Sequence, residues 1–137
     1  MNKELKVWFN GKLIPWRDAT VPILSHGFSR ASAIFDVFGI HPGPQGPVAF
    51  RMDDHLKRLM KSAELLEMEL AYNTEEIVEA VKATVKANNL GRGLIKVVRL
   101  SVKVAQDPSR NDSGRRQGLF QLFEWLSGSQ KRRFPRF

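Results

Sequence analysis

Polar side chains recur at helical spacing in the segment that begins at Arg51. At about 100° per residue, a wedge of roughly 60° holds Arg51, His55, Arg58 and Ser62. An arginine fixed on a packed helix presents a planar fork to a phosphate, which a flexible lysine does less well. The stripe therefore indicates either an anion-binding site or the solvated flank of a helix.

The neighbouring side of the same segment is apolar, and it carries Met52, Leu56, Leu59, Ala63 and Leu66. This spacing predicts a helix from Met52 or Asp53 to Glu67, with its apolar stripe on the core. Asp53 and Asp54 suit the positive end of the helix dipole.

The elements before this helix read as strands. Asn10-Gly11 supplies two residues that tolerate positive φ, so it predicts a type I′ hairpin between Lys6–Phe9 and Lys12–Trp16. Pro15 indicates that the second strand ends there or lies at a sheet edge.

Residues 26–41 are ambiguous, because 31–38 could begin as a helical turn while their β-branched and aromatic end favours a strand. Residues 42–47, rich in proline and glycine, predict a tight turn or loop. Val48–Phe50 then reads as the returning strand, paired with the one before it.

A second helix is predicted with Thr74 as its N-cap and Asn88-Asn89 at its end, followed by a central strand at 93–102. The order of hairpin, strands, two helices and strand predicts an α+β fold. We expect a two-layer sandwich with an antiparallel sheet and two main helices.

Length and composition fit one globular domain of 137 residues, with 42% hydrophobic and 26% charged residues. The sequence has no run of about 18 apolar residues, which argues against a membrane span. It has no cysteine, so disulfides and thiolate metal sites are excluded. The N-terminus lacks the apolar core of a secretory signal, and a cytoplasmic location is expected.

The net charge of +8 is concentrated at the C-terminus. Residues 109–137 contain seven basic and two acidic residues, so they carry +5 of the total. The positive and negative charges of residues 1–108 nearly balance, which argues against nucleic-acid binding by that part of the chain.

The composition changes after Pro108. Residues 109–116 are polar and predict disorder, whereas 118–126 are hydrophobic on almost every side. We expect a domain at 1–108 and an atypical basic tail at 109–137, which a shifted or prematurely ended reading frame would explain.

Several short motifs, in order over residues 6–105, resemble the N-terminal domain of class IV aminotransferases. They are Trp8–Gly11, His26–Phe28 leading to Phe35-Asp36, Phe50-Arg51, His55–Leu59, Ser62-Ala63, Asn88–Leu90 and Leu94–Lys96. These fold type IV enzymes use pyridoxal phosphate, and they include branched-chain and D-amino-acid aminotransferases and aminodeoxychorismate lyase. The resemblance implies their small N-terminal domain, an amino-acid and 2-oxo-acid substrate pair, and pyridoxal phosphate as cofactor.

The resemblance assigns the cofactor phosphate to Arg58, in the His-x-x-Arg-Leu motif. His55 and Arg51 would support it, although His55 could equally bind locally or touch the ligand. No metal site is expected.

Phe35, Arg30 and Lys96 would lie on the substrate side by the same resemblance. Core packing is the alternative for Phe35, and an exposed strand lysine is the alternative for Lys96.

Two departures from the family pattern bear on activity. At the positions of residues 30–37, branched-chain enzymes usually have the motif Tyr-Gly-x-x-x-Phe-Glu-Gly. This chain lacks the tyrosine and both glycines of that motif, which argues against branched-chain specificity. The Schiff-base lysine comes from a second domain in this family, and Lys131 has no matching context.

The first functional hypothesis is an aminotransferase N-terminal domain that is truncated and inactive alone, with no catalytic residue of its own. The alternative is a non-catalytic binding or oligomerisation module that keeps the fold. Either form would expose a face that another domain normally covers, so a homo-oligomer such as a dimer is expected.

Overall fold

The computed structural model of the chain describes residues 4–101 and the backbone of residues 118–125. A short 3₁₀ helix, Trp16–Asp18, follows the first two strands. The strands and helices, in chain order, are β1 (Lys6–Phe9), β2 (Lys12–Pro15), α1 (His26–Ser29), β3 (Ala33–Gly43), β4 (Gly46–Ala49), α2 (Met52–Leu65), α3 (Thr74–Asn88), β5 (Gly93–Ser101) and β6 (Gly118–Trp125).

The strands form one six-stranded sheet in the order β2-β1-β6-β5-β3-β4, and each described pair of neighbours is antiparallel. Buried residues of α2 and α3 join alternate residues of the strands in one apolar cluster. Both main helices therefore cover one face of the sheet, and the predicted α+β two-layer sandwich is confirmed.

The N-terminal hairpin has the predicted geometry. Asn10 and Gly11 have φ values of 48° and 88°, as a type I′ turn requires. β2 ends at Pro15 and forms an edge of the sheet, where a proline without an N–H group is tolerated.

The second hairpin is longer than the sequence predicted. β3 and β4 extend to Gly43 and Gly46, so only residues 44–45 connect them instead of the predicted loop at 42–47. The returning strand is confirmed, since Ala49 pairs with Ile40. β4 pairs only with residues 40–43 of β3. Among the described strands, β5 alone pairs with residues 33–39.

Strand β6 was not predicted. It pairs with β5 from Gly118 opposite Ser101 to Trp125 opposite Leu94, and its Gln121 also pairs with Phe9 of β1. Residues 118–125, which the sequence analysis placed in the tail, are therefore part of the sheet. The disorder predicted for 109–116 and the basic segment 126–137 lie outside the described residues.

Helix α2 uses the predicted apolar stripe, with Leu56, Leu59 and Ala63 buried. The helix ends at Leu65, two residues earlier than predicted. Leu66 follows that end and is 61% exposed, so its prediction as a core residue is wrong.

The predicted N-cap of α3 is also wrong. Asn73 is the N-cap, because its side chain accepts from the N–H of Glu76 while the Glu76 carboxylate accepts from the N–H of Asn73. A capping box needs an acidic or amide partner three residues on, and Thr74 meets the apolar Ile77 at that spacing. The helix ends as predicted at Asn88-Asn89, with Asn89 left-handed.

No helix among the described residues is long and apolar enough to span a bilayer.

The capping box gives a direct test of the α3 assignment. We expect Asn73→Ala to lower the free energy of unfolding by about 1 kcal/mol, since it removes one acceptor and leaves an N–H unpaired. Thr74→Ala is the matched control and should change it by less. Urea denaturation of both variants would contradict the assignment if Thr74→Ala were the more damaging substitution.

Candidate functional site

A buried carboxylate organises the site. Asp36 lies on β3 between Ile34 and Phe38, both of which belong to the apolar core under the helices. Because alternate residues of a strand share a face, Asp36 also faces the helices. Its side chain is 2% exposed. A charge in this position requires hydrogen-bonded partners, since an unpaired buried ion is costly.

Four donors surround the Asp36 carboxylate. Arg58 donates from Nε to Oδ2 at 2.7 Å and from Nη2 to Oδ1 at 2.7 Å. His55 Nδ1 lies 2.8 Å from Oδ1, and the backbone N–H of Val37 donates to the same oxygen at 2.7 Å. The two-point arginine contact is the strong, geometrically specific form of an ion pair.

Helix α2 brings these donors together. His55 and Arg58 are three residues apart, so they project from one side of the helix about one turn apart. The buried Leu56 and Leu59 hold the adjoining side of α2 on the core. The apolar stripe thus sets the helix orientation that aims both polar groups at β3.

The charges of the site follow from this geometry. Burial raises the pKa of the Asp36 carboxyl, but the hydrogen bonds from Arg58, His55 and Val37 outweigh burial and leave the pKa below its ordinary value of 3.8. The same carboxylate raises the pKa of Arg58. An ionised carboxylate only accepts hydrogen bonds, so His55 Nδ1 must carry the proton that it shares with Asp36.

Arg58 has hydrogen-bonding capacity left over. A guanidinium has five N–H donors, and Asp36 takes one from Nε and one from Nη2. The side chain is 68% exposed, and neither N–H of Nη1 bonds to a described residue. The edge formed by Nη1 and Nη2 therefore matches the two-point acceptor geometry of a phosphate.

The other two members of the polar stripe do not contact Asp36. Arg51 Nε bonds to Asp54 at 2.8 Å, and the Arg51 side chain is 66% exposed. Ser62 Oγ donates to the carbonyl of Arg58 at 2.9 Å, within the helix. Of the two predicted supporting residues, His55 therefore shares the Asp36 carboxylate with Arg58, whereas Arg51 binds Asp54 at the start of the helix.

Two of the three substrate-side candidates, Phe35 and Lys96, lie on the opposite face of the sheet. Lys96 Nζ sits 4.4 Å from the centroid of the Phe35 ring, from the neighbouring strand. Phe35 is 62% exposed, so its alternative assignment to the core is wrong. Arg30 is exposed at the end of α1, and its guanidinium has no hydrogen bond or ion pair with the part of the chain that is described.

Sequence reasoning did not select Asp36, although a signal was present. Residues 34, 36, 38 and 40 alternate onto the buried face, and three of the four are Ile34, Phe38 and Ile40. A carboxylate among such residues needs a cationic partner, which the basic stripe of α2 could supply. No cluster of potential metal ligands occurs within 4–101, the range whose side chains are described.

The sequence model of the family described as amino-transferase class IV matches residues 33–132. The chain belongs to this family. The match begins at β3, includes Asp36, His55 and Arg58, and extends through β6.

Curated relatives support the same family. A branched-chain-amino-acid aminotransferase of Pseudomonas aeruginosa is 37% identical over 90 residues, which are 66% of this chain and 29% of the relative. The enzyme of the same name from Escherichia coli K12 is 31% identical over 90 residues, with the same coverage. The chain thus spans about 29% of the length of these relatives. Although residues 30–37 lack the tyrosine and glycines of the branched-chain motif, this chain is still similar in sequence to proteins named branched-chain-amino-acid aminotransferases.

Solved structures share the fold. The E. coli branched-chain amino acid aminotransferase has a TM-score of 0.80 at 24% identity, over 93% of this chain and 41% of that one. The Thermoproteus uzoniensis enzyme with norvaline has a TM-score of 0.78 at 27% identity, over 92% and 42%. A T.th. branched-chain enzyme complexed with N-(5'-phosphopyridoxyl)-L-glutamate has a TM-score of 0.77 at 27% identity, over 90% and 41%.

The lowered pKa of Asp36 predicts how stability depends on pH. In the unfolded chain this carboxyl returns to its ordinary pKa of 3.8, so the unfolded state binds more protons as the pH falls toward the folded value. The stabilisation is therefore present above pH 3.8 and is lost as the pH falls through the folded pKa. We expect Asp36→Asn to cost about 2 kcal/mol at neutral pH and to flatten this acid dependence.

Asp54→Asn is the matched control for that measurement, because it removes a carboxylate that pairs with an exposed arginine on the same helix. Its effect on denaturant unfolding at neutral pH should be smaller. Equal losses for the two variants would contradict a special role for the buried carboxylate.

The proton position on His55 is also testable. For the neutral imidazole we expect the tautomer protonated at Nδ1, because the Asp36 carboxylate can only accept. Nitrogen-15 NMR of the ring distinguishes the two tautomers. Protonation at Nε2 would show that the contact with Asp36 is not a donated hydrogen bond.

Proposed function

We propose that this chain forms the N-terminal, phosphate-binding part of a pyridoxal-phosphate-dependent amino-acid aminotransferase. Membership of the class IV family and the branched-chain aminotransferase relatives support the assignment. The observation that carries it is the outward edge of Arg58, whose opposite edge is held by Asp36.

Arg58 is the proposed ligand of the cofactor phosphate. Its charge is retained at every pH relevant to binding, because Asp36 raises an already high pKa. Its free N–H groups face solvent from a side chain that is fixed at two points. A fixed, permanently charged donor pair is what a phosphate ester requires for oriented binding.

Phe35 and Lys96 form the proposed substrate side. The Lys96 ammonium above the Phe35 ring places a cation beside an exposed apolar surface, which suits the carboxylate and the side chain of an amino acid or 2-oxo acid. Arg58 lies on the helix side of the sheet, whereas this pair lies on the other face. A ligand that contacts both would pass around the outer edge of β3 at residues 33–39, where no described strand pairs.

Pyridoxal phosphate, when bound, supplies the electron sink for amino-group transfer. The role proposed for the described residues is to bind its phosphate and to orient the substrate carboxylate. Since the chain spans about 29% of its curated relatives, we propose that the remaining groups for catalysis belong to the part of those enzymes that it does not match.

Phosphate binding is tested with Arg58→Gln and a matched control, Arg51→Gln. Both remove one exposed arginine, Arg58 from the middle of α2 and Arg51 from its N-cap, so the two variants change the net charge by the same amount. We expect Arg58→Gln to weaken pyridoxal phosphate binding by roughly tenfold in an NMR titration, and Arg51→Gln to weaken it much less. Equal effects would indicate general charge attraction and would contradict the assignment.

The proposal that catalysis needs groups beyond this chain has a separate test. The isolated chain should give no transaminase turnover, and borohydride treatment with pyridoxal phosphate should label no single lysine. Specific reduction onto one lysine, located by mass spectrometry, would overturn that part of the proposal.

A further inference from the structure

We propose that Asp36 is the positioning residue for the phosphate-binding arginine: it holds Arg58 by one edge so that the other edge faces the ligand. This inference rests on the proposed phosphate role of Arg58. It extends the proposed phosphate site to Asp36, an anionic residue that does not itself touch the ligand and that holds the guanidinium of Arg58.

The arrangement divides the guanidinium between two acceptors. Asp36 binds the side formed by Nε and Nη2, and the end formed by Nη1 and Nη2 points away from it. An arginine fork can serve a carboxylate and a phosphate at the same time when each acceptor takes a different edge, as here. Asp36 therefore does not compete for the donors that a phosphate would use.

Helix α2 provides an internal comparison. Arg51 and Arg58 are similarly exposed, but Arg51 is held at one point by Asp54, which is itself on the surface. Arg58 is held at two points by a buried carboxylate that β3 fixes in place. An exposed arginine otherwise keeps much of its rotamer freedom, which a ligand must overcome on binding. Asp36 removes part of that cost before the ligand arrives.

The negative charge of Asp36 opposes this benefit, because a carboxylate near a phosphate repels it. Three features of the contact network reduce the repulsion. Oδ1 accepts from Val37, His55 and Arg58, Oδ2 accepts from Arg58, and the guanidinium lies between the carboxylate and the outward edge. Positioning is therefore the larger effect, and losing the carboxylate should weaken phosphate binding even though it makes the site more positive.

The experiment uses the full chain, inorganic phosphate as the probe and constant ionic strength. The Nε–H resonance of Arg58 reports positioning, and its shift on titration reports affinity. We expect Asp36→Asn to broaden or lose that resonance and to lower phosphate affinity by roughly threefold to tenfold. Asp54→Asn, the matched control, should leave the Arg58 resonance intact and should not lower the affinity.

The outcomes separate the two proposals. Unchanged or stronger phosphate binding by Asp36→Asn overturns the positioning role, while loss of binding in Arg58→Gln alone would leave the phosphate role standing. No effect of Arg58→Gln would overturn both.

A second measurement needs no variant and stands if Asp36→Asn fails to fold. In the unsubstituted chain, the Nε–H of Arg58 should exchange with water more slowly than that of Arg51. Equal exchange rates would show that Asp36 does not hold the guanidinium, and they would overturn the inference.

Discussion

The burial of one charge, the Asp36 carboxylate, is the constraint on which the site depends. A strand residue that faces the helix layer lies away from water, so an ionised side chain there is tolerated only with a full set of donors. The chain supplies them from three places: the next backbone N–H, a histidine and an arginine. The position and rotation of α2 must therefore bury its apolar stripe and, at the same time, bring His55 and Arg58 within hydrogen-bonding distance of this carboxylate.

This constraint connects the fold with the proposed chemistry. The apolar residues of α2 place the helix on the sheet, and Asp36 then selects one orientation for Arg58 among those that the exposed side chain could adopt. The partner strand β4 begins pairing only at Ile40, so the outer edge of β3 beside Asp36 has no described strand. The same strand presents Phe35 on its other face, next to Lys96. One strand thus carries the support of the proposed phosphate site and part of the proposed substrate side.

Much of the fold was predictable because its signals are local. Asn10-Gly11 determines a turn, the spacing of Leu56, Leu59 and Ala63 determines a helix face, and Asn89 ends α3. The errors also have local causes: the threonine at 74 is a good capping residue in isolation, but only Asn73 has the glutamate that completes a box.

What the sequence did not reveal depends on pairing between distant segments. Strand β6 gains its partners from β1 and β5, and its composition alone does not distinguish it from an irregular apolar segment. Helical spacing identified Arg58 and His55 as a candidate anion site, yet it contains no information on Asp36, which lies 19 residues from His55 and 22 from Arg58 in the chain. Only the placement of α2 on β3 shows that the two polar groups converge on one buried acceptor.

The most direct test of the central claim is a crystal structure of the chain with pyridoxal phosphate. We expect phosphate oxygens on Nη1 and Nη2 of Arg58, with Nε still bonded to Asp36. A phosphate bound elsewhere, or an Arg58 that has left Asp36 to reach it, would contradict the proposed role of the Asp36–Arg58 pair.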